Sequence, residues 1–434
     1  MVKLSKQVTS RQPRRCHSAF RWLTVLFSAF SFACPVKADL AKQHLAYDRL
    51  LLPGGRAAML GGAYTALSDD PSGLFYNPAG IVQGKQNQVS LNTWSNFRSE
   101  VVFKEAIKGR DFVEKSNTYF GGFAGGVFHK KALTLGYVIA TLDKRNINQD
   151  DYFQEISDED GQARDFTRIH QESNSFDMFG LGMALALNKS WSLGVSGFYY
   201  SRNIEAMDYQ QVLFNGGQVL VQESKIRVSN QGFHAMGGIQ YHGDDLSVGV
   251  SVRAGQSVIN RGSLSFNSVA HPVPSTTPDV INYSTDSYDD DTEIIPLIYR
   301  AGAAWHPASG FLLSTEISYS TPVSVDNGTP DRQPTYNYAL GLETGLPYWK
   351  LMLGLFTNYS NFPRVSSEGT NQAAHLDYVG KSIGTSIITK TFDLHIGYIR
   401  QDGEGDAQIV AGSTETQKVV GILENLLVSF TFKL

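Results

Sequence analysis

Arg253, Arg300, Glu316, Glu343 and His395 stand at alternate positions among apolar neighbours in short segments of the chain. In the first of these segments Leu246, Val248, Val250 and Val252 alternate with Ser247, Gly249, Ser251 and Arg253. A guanidinium holds a carboxylate by two parallel hydrogen bonds, so Arg253 or Arg300 suits a carboxylate-bearing ligand. Arg300, Glu316 and Glu343 also suit mutual neutralisation, with Arg56 placed to join them. Neutralisation is favoured, because charges enclosed by a sheet must be paired or wet. No covalent chemistry is indicated. Neither a His-Glu-x-x-His pair nor a phosphate loop occurs, and the chain reads as a protein without enzymatic activity and without a cofactor. Acidic runs at Asp150, Asp151, Glu155, Asp158, Glu159 and Asp160, and at Asp289, Asp290, Asp291 and Glu293, lack the ordered spacing of a calcium loop. No metal is assigned.

The elements that carry these residues are strands. Side chains on a strand face opposite sides with a period of two, so alternation gives each segment one greasy and one polar face. Fourteen such segments run from 88–96 to 426–434. Short turns alternate with long polar connections near 97–116, 143–174, 204–231, 255–295, 321–334, 360–377 and 401–425. Short turns at one end, long loops at the other and an even strand count are the pattern of a closed outer-membrane barrel. The expected fold is therefore all-β, a transmembrane antiparallel barrel of about 14 strands occupying residues 88–434. Trp191, Tyr241, Trp305, Tyr348 and Trp349 lie near the short turns, and Tyr199, Tyr200, Tyr319 and Tyr359 near the long loops, as two interfacial girdles would. Gly121-Gly122 and Gly125-Gly126 share one segment. Glycine inside a strand marks a bulge or a close backbone approach, which places a plug contact or a wall defect there, or simply eases a tight lumen.

Residues 1–38 carry seven basic residues and no acid, then an apolar stretch from Trp22 to Ala33 and a small-x-small site at Val36-Lys37-Ala38. That is the pattern of a secretory signal peptide, with cleavage expected between Ala38 and Asp39. Both cysteines, Cys16 and Cys34, lie in this leader, so thiol chemistry and disulfides are excluded from the mature chain. Removing the seven basic residues from a formal charge of -4 leaves -11, a poor match to nucleic acid. Outer-membrane lipid, lipopolysaccharide and the barrel-assembly machinery are the partners expected of an exported barrel; the oligomeric state is left open.

Residues 39–87 show no alternation and many small residues. Gly54-Gly55-Arg56-Ala57, Gly61-Gly62, Asp69-Asp70-Pro71 and Asn77-Pro78-Ala79-Gly80 punctuate the stretch. Asp70 with Pro71 predicts an N-cap and first helical position, and Asn77 to Gly80 predicts a tight turn. This stretch resembles the N-terminal region of the FadL/TodX-type family of outer-membrane transporters for long-chain fatty acids and other hydrophobic compounds. The resemblance implies a hatch folded into the periplasmic side of the barrel, built on Gly55, Arg56, Gly61, Gly62, Asp69, Asp70, Asn77, Pro78 and Ala79. It also implies passive uptake of a hydrophobic small molecule, with capture at surface loops, hatch movement and a gap in the wall. Leu213, Phe214 and Leu220 form the greasiest loop patch and are the candidates for first capture, unless they belong to an extra hairpin burying its own residues. Similar Gly-Arg-Ala and Asn-Pro-Ala words occur in barrels that resemble the PorV type. Docking of secreted or surface proteins is the alternative that this second resemblance implies.

Overall fold

The computed structural model describes residues 47–84, 86–107, 109–154, 163–272, 278–289, 295–308, 310–323, 332–369, 372, 374–408, 414 and 416–434. The leader, the Ala38–Asp39 junction and the first residues of the 39–87 segment lie outside the described residues. So do Glu155, Asp158, Glu159, Asp160, Asp290, Asp291 and Glu293.

Among the described residues sixteen stretches of strand follow a short helical segment. They are β1 (Gln88–Ile107), β2 (Arg110–Phe120), β3 (Phe123–Lys130), β4 (Leu133–Gln154), β5 (Ala163–Ala186), β6 (Trp191–Phe214), β7 (Val219–His242) and β8 (Leu246–His271). The rest are β9 (Val280–Asp289), β10 (Ile298–Ala308), β11 (Phe311–Ser320), β12 (Thr335–Leu346), β13 (Trp349–Asn358), β14 (His375–Ile388), β15 (Phe392–Ala407) and β16 (Gln417–Lys433). Every pairing is antiparallel, and β1 closes the circle against β16 from Gln88↔Lys433 to Phe103↔Val419. Two barrel strands are each interrupted. β2 and β3 both pair with β1, and β9 and β10 both pair with β8. Counting each broken pair once gives the expected 14-stranded closed barrel.

Burial is inverted relative to a soluble sandwich. Apolar residues point outward, with Leu181 57%, Val195 55% and Leu355 52% exposed, while Ser192, Ser247, Ser314 and Ser429 are buried inside. A belt of exposed aliphatic side chains on a closed barrel is a lipid-facing surface, since a closed barrel leaves no unpaired backbone edge for lipid to meet. Trp191, Trp305, Tyr348 and Trp349 project outward at the turn end, as the girdle requires. Tyr200 does not. It is buried in the lumen, because its neighbour Tyr199 takes the outward side and successive residues must alternate.

The long connections are the main correction. β4 to β8 contain 22 to 26 residues each, against 10 to 12 in β11 to β13. A spanning strand needs about 9–11 residues, so β4 to β8 run on by roughly a dozen as a raised rim. Most of the 143–174, 204–231 and 255–295 connections are therefore ladder. β6 and β7 stay paired out to Leu213↔Val219. These extensions differ from the spanning strands because their outer faces meet water, and the apolar residues Ile204, Ala206, Ile226, Val228 and Leu264 turn to the inner face instead.

The helical segment sits inside the barrel. It contains α1 (Gly55–Met59), α2 (Gly73–Tyr76) and a 3-10 helix (Pro78–Gln83). Gly61 and Gly62 follow α1 with φ of +64° and +78°, a region that side chains with a Cβ rarely adopt. α2 begins two residues later than Asp70-Pro71 suggested. Asp70 instead accepts the backbone N–H of Ser72 (2.7 Å), an Asx-type turn that leads into the helix. The 77–80 tight turn is the start of the 3-10 helix, where Asn77 Oδ1 accepts from the backbone N–H of Ala79 (3.1 Å). Among the described residues no helix is long and apolar enough to cross a membrane.

Candidate functional site: a plugged lumen beside a broken wall

The barrel wall is shaped to receive the plug backbone. A Cβ added at Gly194 would overlap the Pro78 carbonyl, one at Gly238 the Asn77 side chain, and one at Gly354 the backbone of Gly61. Hydrogen bonds then fix the plug in register with the wall. Asn77 Nδ2 donates to the carbonyls of Thr65 (3.0 Å) and of Ile239 on β7 (3.1 Å). Ser192 and Ser196 on β6 donate to the carbonyls of Ala79 and Leu74, Gln240 to those of Ala66 and Leu67, and Ser382 to that of Met59. A plug held mainly by side chain to carbonyl bonds satisfies its buried backbone without joining the ladder.

The charged residues form two clusters rather than one. In the first, Arg56 Nε donates to Glu343 (2.7 Å) and its Nη1 to Asp69 (2.8 Å). The Tyr64 hydroxyl lies 2.7 Å from Asp69 and 2.9 Å from Asp70. Burial and the neighbouring Asp69 charge push the Asp70 carboxyl up. In the second cluster Glu316 accepts from Arg49 (2.8 Å) and from the backbone N–H groups of Tyr64 (3.3 Å) and Thr65 (3.0 Å). Arg300 approaches Glu316 at 3.9 Å and donates to the Phe75 carbonyl (3.1 Å). Asp48 accepts from both Arg253 and Arg300. The expected link from Glu316 to Glu343 fails on register. Glu343 pairs across from Leu312, four residues along the strand from Glu316, which is about 13 Å.

Asp48 and Arg49 were missed from sequence. The only signal was a charged pair ahead of Leu50-Leu51-Leu52-Pro53, in a segment otherwise composed to be enclosed. These seven residues, 47–53, form a strap across the lumen. Tyr47 donates to the Leu376 carbonyl (3.0 Å), and Gln401 donates to the carbonyls of Arg49 and Leu50. Burial raises the Asp48 carboxyl, but Arg300 and then Arg253 outweigh it and hold it well below the usual range. A carboxyl depressed in the folded state contributes stability that is complete above its unfolded value, about 3.9, and is lost as pH falls through the folded one. Limited proteolysis checks the consequence: the strap is protected at pH 6 and becomes cleavable by pepsin as the pH falls from about 4 toward 2.

Beside the strap lies a cavity of about 90 Å³ walled by Leu50, Phe75, Phe176, Met178 and Ile298 as well as the arginines. An apolar cavity of about 150 Å³ is enough for benzene, so the plugged state holds less room than one aromatic ring needs. Leu213 and Phe214 are half-buried and Leu220 is buried on the inner face of the β6–β7 hairpin. The stretch is the end of the β6–β7 barrel ladder rather than an extra hairpin. His395 is buried and hydrogen-bonds Ser386 across the β14–β15 ladder (2.5 Å), against Gly55 and so beside the Arg56 cluster, with no ion pair to it among the described residues.

The wall is broken where the glycines stand. Gly121 and Gly122 separate β2 from β3, and the Thr141 N–H to Gly122 carbonyl bond (3.0 Å) ends the backbone contact with β4. Above it side chains replace the ladder. Ser116 Oγ donates to the Asn146 carbonyl (2.8 Å), and Gln149 donates to the Val113 carbonyl while accepting from the Lys115 N–H. Gly380-Lys381-Ser382-Ile383-Gly384 spells a nucleophile-elbow word, but it lies in the middle of β14 and Ser382 is spent on the Met59 carbonyl. An elbow needs a strand-to-helix turn. Among the described residues no group of three His, Cys, Asp or Glu could hold a metal.

A closed 14-stranded antiparallel barrel, filled by its own N-terminal segment and interrupted in two wall strands, one of them at Gly121-Gly122, defines a plugged barrel of the outer-membrane type. Solved structures it is similar to include channels of the FadL/TodX type. The chain superposes on the Pseudomonas putida toluene transporter TodX with a TM-score of 0.63 at 10% identity, covering 88% of this chain and 98% of that one. A Pseudomonas aeruginosa FadL homologue gives 0.56 at 13%, covering 93% and 99%. The Ralstonia pickettii toluene transporter TbuX gives 0.54 at 11%, covering 88% and 98%. No protein-family model and no curated protein sequence matches the chain. The resemblance read from the hatch words therefore holds as a shared fold.

Proposed function

We propose that the protein is an outer-membrane channel for the passive uptake of hydrophobic small molecules, working by a hatch as in the FadL/TodX type. The observation that carries this reading is the conjunction of a lumen filled by a separately held plug with a wall break beside it. A barrier made of lipopolysaccharide slows greasy solutes, and an apolar route with a lateral exit needs no energy input. Toluene, as named for the TodX and TbuX structures, and long-chain fatty acids, which the resemblance of the hatch residues implies, are the ligand classes of this reading. In this reading the leader is removed at Ala38–Asp39, the raised rim faces the outside, and the hatch residues Gly55, Arg56, Asp69, Asn77 and Pro78 move during passage.

The exit is testable at the glycines. A Cβ at Gly121 meets only the Asn92 carbonyl oxygen at 3.6 Å, and one at Gly122 meets the Phe120 ring at 3.5 Å. The double change Gly121→Val, Gly122→Val therefore fits, and β-branched residues favour continuous strand. Passage of labelled toluene or oleate is expected to fall about tenfold while ligand binding to the folded barrel is retained, the exit being an added step. Unchanged passage through the sealed variant counts against a lateral exit.

A further inference from the structure

We propose that the guanidinium pair of Arg253 and Arg300 is a carboxylate site which the chain keeps occupied with its own Asp48. An amphiphile carrying a carboxylate competes with Asp48 for that pair and thereby frees the strap. This rests on the channel reading and names the ligand chemistry and the autoinhibitory contact within it.

The geometry is that of a bound ligand supplied in cis. Arg253 on β8 and Arg300 on β10 stand on adjacent strands, in the register Arg253↔Ile298 and Ser251↔Arg300. One Asp48 oxygen accepts from Arg253 and the other from Arg300, so both oxygens are used. Two forked cations spanning one carboxylate is how proteins recognise free carboxylates. Asp48 is carried on no helix or strand; it sits on the strap ahead of α1, so its position depends on the strap and not on the wall. Among the described residues Arg253 meets Asp48 alone of the acids, whereas Arg300 keeps Glu316 and the Phe75 carbonyl as well. Within the cluster Arg49, Arg253 and Arg300 face Asp48 and Glu316, which leaves one positive charge in excess. The surroundings suit the tail of the competitor. Phe75, Phe176, Met178, Ile295 and Ile298 line the same cavity, so the space that a departing strap adds to it beside the arginines is apolar.

Asp48 and a fatty-acid headgroup are the same functional group, so the arginines do not distinguish them. The tether does, by giving Asp48 a high local concentration that a free ligand must overcome. While Asp48 is seated, the competent fraction is small and apparent affinity falls by that fraction. Displacement of Asp48 also unseats its neighbour Arg49 from Glu316, which accepts the backbone N–H groups of Tyr64 and Thr65 in the plug. Ligand arrival and plug release thus share one residue.

The test measures binding of oleate and of its neutral ester, methyl oleate, to the full mature chain folded in detergent. Heat-modifiable migration checks that each variant remains a closed barrel. Asp48→Asn is expected to tighten oleate about tenfold or more and to leave methyl oleate within about twofold. Arg253→Gln added to Asp48→Asn is expected to remove that gain. Oleate affinity unchanged or weakened by Asp48→Asn, with methyl oleate still bound, overturns the competition and leaves the channel reading standing. Failure of both probes to bind either form overturns both.

Discussion

Replacing Asn77 with alanine releases the plug while the barrel stays closed. Asn77 is fully buried, and its amide serves three backbone groups at once: the carbonyls of Thr65 and Ile239 and the N–H of Ala79. Alanine leaves all three without that partner in a site shaped around the side chain, since Gly238 on β7 leaves the space Asn77 occupies. Each buried polar group so stranded costs about 1–3 kcal/mol, and together they weaken plug docking by about 3–5 kcal/mol after relaxation. That shifts the docked-to-undocked ratio by roughly a hundredfold to a few thousandfold. Ion conductance through planar bilayers reads the change as frequent long openings against a nearly silent wild type. Heat-modifiable migration of the variant is expected to match the wild type, because no ladder bond is touched. A silent Asn77→Ala barrel would show that the plug is held elsewhere.

Glu316→Ala is expected to have an effect of similar size by a different route. Its carboxylate is almost wholly enclosed and collects Arg49, two plug N–H groups and the approach of Arg300. Removing it strands the Arg49 charge in the lumen, and breaking one side of a buried ion pair costs about 3–5 kcal/mol. The strap and the first half of the plug are therefore expected to become protease-sensitive together, with residues beyond Asn77 held by their separate bonds to β6 and β7. Mass spectrometry of the cleaved chain distinguishes this from Asn77→Ala, where the α2 and 3-10 helix region opens first. Cleavage at the same sites in both variants would mean that the plug moves as one piece.

The barrel was legible in the sequence where one strand face meets lipid. There, strict alternation in Leu246–Arg253 or Phe392–Tyr398, taken with the alternating turn lengths, points to a barrel. It was illegible in the rim. Glu205 and Asn203 face water on one side, and the inner side mixes apolar Ile204 and Ala206 with Arg202 and Asp208, so the apolar phase of the spanning strand does not carry through. The broken strand at Gly121-Gly122 was visible as a glycine cluster, although its consequence, side chains bridging β2 to β4, depends on Ser116 and Gln149 and cannot be read from spacing. At the site, inward-facing Arg253, Arg300, Glu316 and Glu343 followed from parity alone. Their partners did not, because pairing depends on register between strands and on where the strap crosses. Arg56, expected to join Arg300, Glu316 and Glu343 as one group, meets Glu343 of the three, whereas Asp48 carries no pattern at all until the chain is folded.

The most direct test of the account is the entry of a labelled hydrophobic solute, toluene or oleate, into proteoliposomes or cells with and without the folded protein. The outer leaflet must contain lipopolysaccharide, since a plain phospholipid bilayer passes such solutes unaided. A passive hatch channel predicts entry that is accelerated by the protein, independent of any ion gradient, and raised again by Asn77→Ala. Entry at the same rate in its presence and absence, from a barrel shown to be folded and inserted, would contradict a transport role.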